Sequence, residues 1–153
     1  MISIRPAKKN EVTKLQSLNQ EVFIDNHKYD PDLVMDWAIS KTGKEYFTKL
    51  LHDPTSYCLV AEDNEKLVGY IAARKKDFGY RKSKYLEIEN MGVNPTYRSQ
   101  GIGSQLMQKC LEWAKKQGYQ KVYVNAYFAN NKAITFYKQN GFSEIDVSLE
   151  REL

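Results

Sequence analysis

Residues 87–104 have the sequence EIENMGVNPTYRSQGIGS, and this short stretch contains a strand, a turn and the start of a helix. Alternation predicts a strand that places Leu86 and Ile88 on one face. The opposite face is predicted to hold Tyr85, Glu87, Glu89 and Met91. The strand is expected to end at Asn94-Pro95, because proline cannot donate to a ladder and restricts the residue before it.

The turn after this strand leads directly into an amphipathic run. Apolar residues recur there at helical spacing, at Ile102, Leu106, Met107, Cys110, Leu111 and Ala114. Free backbone amides and the positive end of the helix dipole attract anions at a helix N-terminus, and glycines let a phosphate approach the backbone. The stretch therefore predicts a phosphate-binding turn.

Two common phosphate loops do not match this turn. A Walker loop needs Lys followed by Ser or Thr after its second glycine, whereas Ser104 and Gln105 follow Gly103. The dinucleotide fingerprint needs a third glycine at the position of Leu106.

The remaining pattern, Arg-x-x-Gly-x-Gly after Val-Asn-Pro, resembles the acetyl-CoA loop of the GNAT superfamily of N-acetyltransferases. Residues 130–142, NNKAITFYKQNGF, resemble the second motif of that family, Asn-x-x-Ala-Ile-x-x-Tyr followed by Gly-Phe. The two motifs occur in the family's order, with a strand between them. They cover the C-terminal half, and the N-terminal half matches only in its order of elements.

The resemblance implies an α/β fold with a mixed α+β sheet, mostly antiparallel, flanked by helices and with splayed central strands. Residues 1–153 are expected to form one acyl-CoA N-acyltransferase domain. Periodicity along the chain predicts the order β-α-α-β-β-β-α-β-α-β. In that prediction Asn10 caps the first helix, Asp30-Pro31 starts the second, residues 41–43 interrupt it, and residues 142–149 form a last strand.

The resemblance also implies acetyl-CoA as donor, with CoA as product, and assigns residues to it. The pantetheine arm is expected along Met91, Gly92 and Val93, with an amide near Val93 meeting the thioester oxygen. Arg98 is expected near the pyrophosphate, although capping of the turn is an alternative role. The amides that would hold the pyrophosphate belong to Ser99, Gln100, Gly101, Ile102, Gly103 and Ser104.

The second motif supplies two further candidates. Asn130 matches the family asparagine that contacts the cofactor, and it also suits a helix N-cap. Tyr137 matches the tyrosine that faces the sulfur and protonates the departing thiolate. The alternative for Tyr137 is a core residue on an amphipathic helix.

The general base is predicted on the central strand, at Glu87 first and Glu89 second. Some family members carry a base on the strand before the second motif, but Asn125 stands there and an amide cannot take a proton. The alternative is that the two carboxylates balance nearby lysines or bind a cationic substrate. Tyr127 and Phe128 are expected on the acceptor side.

The acceptor is expected to be an amine, in a small molecule, a peptide N-terminus or a lysine, acetylated by direct transfer. Residues 23–29 either line the acceptor cleft or form an ordinary interhelical loop. A sensor module that binds acyl-CoA without catalysis is the rival interpretation, because a fold does not establish an activity.

Composition excludes several other classes. The net charge of +4 on 153 residues is too small to indicate nucleic-acid binding. Cys58 and Cys110 lie in apolar runs, which predicts buried thiols, and His27 and His52 lack companion ligands, which argues against a metal site. No run suits a bilayer span or a signal peptide, so the cytoplasm is expected, and a homodimer is left open.

Overall fold

Five strands form one mixed sheet in the order β1-β2-β3-β4-β5 in the computed structural model, which describes residues 1–153. The first four strands pair antiparallel, and β4 and β5 pair parallel. The sheet confirms the predicted mixed, mostly antiparallel architecture. The strands are β1 Ile2–Pro6, β2 Tyr57–Asp63, β3 Lys66–Lys76, β4 Tyr85–Val93 and β5 Lys121–Val124.

Four α-helices cover the two faces of the sheet, with short 3₁₀ turns between them. None of these helices has the length and apolar character that a membrane span requires. The helices are α1 Val12–Asp25, α2 Lys41–His52, α3 Ile102–Lys116 and α4 Asn131–Gln139. The 3₁₀ turns are Lys9–Glu11, Asn26–Lys28, Trp37–Ile39 and Pro95–Tyr97.

Each face of the sheet has its own apolar core. Helices α1 and α2 pack on one face, where Leu15, Phe47 and Tyr70 are fully buried. Helix α3 packs on the other face, and Tyr137 of α4 lies against the same cluster. Strand β3 contributes Tyr70 to the first core and Ile71 to the second, so it is the central strand that both layers share.

The N-terminal half contains three errors of the sequence prediction, and two of them concern the second predicted helix. Asp30-Pro31 starts no helix, and residues 30–36 form turns before the 3₁₀ turn Trp37–Ile39. Gly43 does not break a helix but lies in the first turn of α2, where its N–H donates to Ser40 Oγ at 3.2 Å. A Cβ on Gly43 would lie 2.3 Å from the Ala38 carbonyl oxygen, so this glycine allows a close approach of backbone.

Asn10 is not the N-cap of α1, which is a third error. Glu11 is only 4 % exposed and binds the Arg5 guanidinium at 2.6 and 3.1 Å. The Glu11 carboxylate also accepts from the Lys8 N–H at 2.8 Å. These charge-assisted contacts fix the entry to α1 through a 3₁₀ turn, in place of a capping asparagine.

The predicted last strand at residues 142–149 is also absent. Residues 143–153 form no hydrogen-bonded ladder, and all of them are exposed. Alternation reports the polarity of the side chains, whereas a strand also needs a partner that satisfies its backbone groups, and these residues have none.

A β-bulge in β4 reverses the predicted faces of its second half. Ala72 pairs with Asn90 and Ala73 with Ile88, so Glu89 is the extra residue. Met91 therefore packs against the same cluster as Ile88, on the α3 side, and the prediction that it shares a face with Glu87 was wrong. A shift of one residue reverses every side chain that follows it.

Candidate active site

The two parallel strands separate halfway along β4. Their pairing ends at Ile88 and Val124, and β5 ends there as well. Strand β4 continues to Val93 and stays paired with β3 at Gly69. From Glu89 to Val93 the edge of β4 that faces β5 therefore has no strand partner, and its backbone groups, apart from the Val93 carbonyl, are available to a ligand.

The turn after β4 places the start of α3 beside the end of that strand, where a Cβ on Gly103 would lie 3.9 Å from Val93 Cγ2. Gly101 is the N-cap of α3 with φ of 80°, and no side chain caps the helix. Ser99 also has a positive φ, 63°. The first amides of α3 have no intrahelical acceptor, so the helix start suits an anion. A Cβ on Gly103 would lie 3.5 Å from the Phe136 ring, so α3 and α4 approach each other closely here.

Arg98 binds protein groups in this arrangement. Its Nε donates to the Val93 carbonyl at 3.1 Å, and its guanidinium donates to the Asp25 carboxylate at 3.1 Å. This contact holds the pKa of Asp25 below its usual range. Arg98 thus ties the end of β4 to the end of α1, which supports the turn-capping alternative. Its contact with a phosphate stays a prediction.

Gly92 lies where α1 crosses the splayed end of β4. A Cβ at this position would lie 2.7 Å from Val22 Cγ1, so the helix is closer to the strand than any side chain would allow. The predicted role of Gly92 was close approach of the cofactor. The structure shows a second reason for glycine at this position, because any side chain here would collide with α1.

Helix α4 places Tyr137 next to the same opening. Asn130 caps this helix by accepting from the Ala133 N–H at 3.1 Å, as predicted for an N-cap. The Tyr137 ring packs between Phe136 and Phe142, and burial raises the pKa of Tyr137 to about 12. Its hydroxyl donates to no protein group, so it is free to serve a ligand.

A cleft of about 620 Å³ lies on the α1 side of β4. Its walls combine aromatic rings with carboxylates, as an acceptor site for an amine requires. The predicted loop at residues 23–29 contributes Phe23 and Asn26, so the interpretation as a cleft wall is supported. The residues that the argument uses are Phe23, Trp37, Tyr46, Glu87, Glu89 and Asn90.

The two carboxylates of this cleft differ in their partners. Glu89 accepts from Arg74 Nε at 2.9 Å and from the Tyr46 hydroxyl at 3.0 Å. Glu87 forms no ion pair or hydrogen bond, and burial raises its pKa, with Glu89 adding to the effect and Lys76 opposing it. A carboxylate with a raised pKa and no partner is the better proton acceptor of the two.

A buried polar network beneath the cleft was not predicted. The Tyr70 hydroxyl donates to Asn90 Oδ1 at 2.6 Å, and Asn19 Nδ2 donates to the same hydroxyl at 2.6 Å. Burial raises the pKa of Tyr70 well above its usual range. A polar residue inside a strand, such as Asn90, was the only sequence signal for this network.

The loop after β5 approaches the acceptor side through one residue. The Tyr127 hydroxyl donates to Asp30 Oδ2 at 2.9 Å, and its ring stacks on Tyr29. Phe128 is 89 % exposed and contributes nothing to the described cleft. Tyr127 therefore lies beside residues 29–30, and its contact with an acceptor stays a prediction.

The cysteines are unsuited to nucleophilic attack. Burial raises the pKa of both Cys58 and Cys110 to about 12, so neither thiol ionises near neutrality. The side chains of His, Cys, Asp and Glu form no group of three that could hold a metal ion.

Comparison with known proteins agrees with this geometry. Residues 14–142 match the model of the acetyltransferase (GNAT) family. The chain belongs to this family. It is 35 % identical over 108 residues to an uncharacterized N-acetyltransferase of Methanocaldococcus jannaschii, covering 70 % of this chain and 48 % of that protein. The GNAT chain thus spans about half the length of that relative.

Two further matches cover more of both proteins. An N-alpha-acetyltransferase of Sulfurisphaera tokodaii is 28 % identical over 153 residues, covering 94 % of this chain and 81 % of the relative. The second is the crystal structure of a predicted acetyltransferase of Clostridium acetobutylicum with acetyl-CoA. It matches with a TM-score of 0.77 and 24 % identity, over 99 % of this chain and 96 % of that chain. The structural likeness confirms the GNAT fold.

Proposed function

We propose that this GNAT protein transfers an acetyl group from acetyl-CoA directly to a primary amine. One observation carries the proposal: the opening between β4 and β5 is bordered by the bare N-terminus of α3, the free Tyr137 hydroxyl and the cleft that contains Glu87. A donor site, a group for the leaving thiolate and a base-lined acceptor site are what acetyl transfer to an amine requires.

Acetyl-CoA would be held by the backbone more than by side chains. The amides from Ser99 to Ser104 suit the pyrophosphate, because α3 starts there without a side-chain cap. The unpaired edge of β4 from Met91 to Val93 suits the amide-containing pantetheine arm. Asn130 is engaged as the N-cap of α4, and a cofactor contact through its other side-chain atoms stays a prediction. Bound acetyl-CoA would supply the thioester that is attacked.

The residues of this chain would move two protons. An amine that enters as an ammonium ion first loses one proton to the solvent, because only the neutral amine has a lone pair for the attack. Glu87 then accepts the second proton, directly or through water, as the N–C bond forms. Tyr137 donates to the sulfur as the C–S bond breaks. The amide near Val93 donates to the carbonyl oxygen, where negative charge develops. No cysteine attacks the acetyl group, because the raised pKa of Cys58 and Cys110 keeps both thiols protonated near neutrality.

The cleft favours an amine that arrives as a cation. Glu87 is the unpaired carboxylate, and Phe23, Trp37 and Tyr46 present rings on which an alkylammonium group can pack. Small polyamine-like molecules, peptide N-termini and lysine side chains all have this chemistry. The name of the Sulfurisphaera relative, an N-alpha-acetyltransferase, adds support for peptide N-termini. The cytoplasmic location and the homodimer stay predictions.

The test measures the release of free CoA thiol from acetyl-CoA with a panel of amines. The panel includes polyamines, tetrapeptides with a free N-terminus and peptides that contain lysine. We expect amine-dependent release of CoA with at least one class. Thermal stabilisation by CoA without turnover on any amine would instead favour the acyl-CoA sensor. Absence of both stabilisation and turnover would contradict the proposed cofactor as well.

A further inference from the structure

A group of cations lies beside the acceptor cleft, on the same face of the sheet. Glu87 lines the cleft, and Tyr85 lies two residues earlier on the same side of β4. Tyr85 pairs with Lys76 of β3 and with Lys121 of β5. Positions two apart on a strand are separated by roughly 7 Å, so the cations begin one short step from Glu87. We name this group the basic platform, and its members are Lys76, Phe78, Arg81, Tyr85, Lys121 and Tyr123.

Aromatic rings hold the cations of the basic platform in place. The Phe78 ring packs edge-on against Tyr85, with ring centroids 4.9 Å apart. The Arg81 guanidinium lies 4.8 Å from the Tyr85 centroid and 5.5 Å from the Phe78 centroid. The ammonium group of Lys76 lies 5.4 Å from the Phe78 centroid, and that of Lys121 lies 6.0 Å from the Tyr85 centroid. Such contacts orient a cation without neutralising its charge.

No carboxylate of the chain pairs with these cations. Lys76, Arg81 and Lys121 take part in none of the eight ion pairs of the structure. Asp77 is the only acidic residue between β3 and β4, and its carboxylate accepts from the Gly79 N–H at 2.8 Å. Three oriented charges are therefore available to an anion, and a guanidinium is well suited to a carboxylate.

We propose that the basic platform binds carboxylates of the acceptor, so that the preferred substrate is a peptide whose N-terminal amine is followed by acidic residues. This inference rests on the proposed acetyl transfer and narrows its substrate class. With the amine beside Glu87, an extended peptide advances about 3.3 Å per residue, and its next two or three side chains reach the platform.

Charge complementarity favours this acceptor over the other amines. The cleft presents the Glu87 carboxylate, and the platform presents cations one step away. A peptide with a positive N-terminus and negative side chains just beyond it matches both signs. A polyamine has positive charge along its whole length, so the platform would repel it.

Three peptides with amidated C-termini test this preference. They share an N-terminal alanine and differ in the residues that follow it, which are all glutamate, all glutamine or all lysine. We expect kcat/KM at low salt to be about tenfold higher for the glutamate peptide than for the glutamine peptide, and lowest for the lysine peptide. The differences should shrink as salt is added, because salt screens these charges. Equal values for the three peptides would overturn the inference while acetyl transfer itself stands.

A charge-removing variant tests the platform itself. Arg81→Gln/Lys121→Gln should reduce the preference for glutamate over glutamine to less than about twofold. Lys121→Gln alone leaves the Arg81 stacking intact, so it gives a second measurement if the double variant fails to fold. The matched control is Lys109→Gln/Lys116→Gln, which removes two exposed charges from α3 on the opposite face of the sheet and should keep the preference. An equal loss in control and variant would overturn the inference, because net charge would then be sufficient.

Binding without turnover separates this inference from the proposed function. The probe is the glutamate peptide with an acetylated N-terminus and a fluorophore at its C-terminus, followed by anisotropy. We expect wild type to bind the probe about tenfold more tightly than Arg81→Gln/Lys121→Gln. That result in a protein that acetylates no amine would support the platform and contradict the proposed activity. Acetylation of amines together with equal binding of the probe by both proteins would overturn the platform and leave the activity in place.

Discussion

Glu89 Oε1 accepts a hydrogen bond from Arg74 Nε at 2.9 Å, and this ion pair engages one of the two carboxylates that β4 presents to the cleft. The Tyr46 hydroxyl donates to the same oxygen at 3.0 Å. The bulge at Glu89 makes this contact possible, because the extra residue has no opposite partner on β3. Glu87 is left as the carboxylate without a protein partner.

The first prediction follows from this asymmetry. Glu87→Gln should lower kcat/KM by about 10²-fold, because an amide of the same shape accepts no proton. Glu89→Gln should lower it by less than about tenfold and act mainly on the KM of the amine, since it removes charge but not a base. Complete pH–rate profiles of both variants decide the order. If the pH–rate profiles of both variants match that of wild type, neither carboxylate takes part in catalysis.

The second prediction concerns stability, not rate. Burial raises the pKa of Glu87, so the folded protein binds this proton more tightly than the unfolded chain. Stability from this group is therefore present at low pH and lost as pH rises through the folded pKa. Glu87→Gln should have a Tm equal to wild type near pH 4 and higher near pH 7, by calorimetry. A Tm difference that is independent of pH would contradict the raised pKa.

The third prediction concerns the leaving group. Tyr137→Phe should lower kcat by about 10²-fold with little change in the KM of acetyl-CoA, because the donor is needed as the thiolate forms. With a pKa of about 12, Tyr137 stays protonated throughout the assay range. Tyr119→Phe removes a hydroxyl just beyond the C-terminal end of α3, at the opposite end of that helix from Gly101, and is the control. An unchanged kcat with chemistry rate-limiting would exclude Tyr137 as the acid.

The fourth prediction uses two glycines at opposite ends of α3. Gly101 has φ of 80° and Gly118 has φ of 82°, and a Cβ at either would contact nothing within 4 Å. Alanine at each should therefore cost about 1 kcal/mol of unfolding free energy through backbone strain alone. Only Gly101→Ala should also raise the KM of acetyl-CoA, because its turn presents the phosphate-binding amides. Equal KM values for acetyl-CoA in the two variants would show that this turn does not bind the donor.

Local signals were sufficient to predict the turn after β4, helix α3 and the cap of α4. The Asn94-Pro95 break, the glycines before α3 and the cap at Asn130 each act within a few residues, so they can be recognised without tertiary information. The Tyr137 position followed from its motif. The roles of these residues at a site for acetyl-CoA stay predictions.

Other features depend on contacts that are distant in sequence, and these were missed. The bulge at Glu89 arises from pairing with β3, and periodicity alone gave Met91 the wrong face. Gly43 appeared to be a helix breaker because its close contact with the Ala38 carbonyl is tertiary. The strand at residues 142–149 was predicted from alternation, which reports polarity but not whether a partner edge is present.

The last prediction tests the contact between α1 and the splayed end of β4. A Cβ on Gly92 would lie 2.7 Å from Val22 Cγ1. Gly92→Ala should cost about 1–3 kcal/mol of unfolding free energy, because the helix or the strand must move. It should also raise the KM of both substrates, since the donor site borders one side of β4 and the acceptor cleft the other.

A second variant shows whether Val22 is the cause. Val22→Ala removes the two methyl carbons that the new Cβ would meet. The double variant Val22→Ala/Gly92→Ala should therefore lose less unfolding free energy than the two single variants lose together. Its KM values should return toward those of wild type. Gly69→Ala is the control, because its Cβ would meet Ile102 Cγ2 at 3.1 Å on the α3 side of the sheet. Val22→Ala should not rescue Gly69→Ala. If it rescues neither variant, the contact with Val22 is not the cause of the losses in Gly92→Ala.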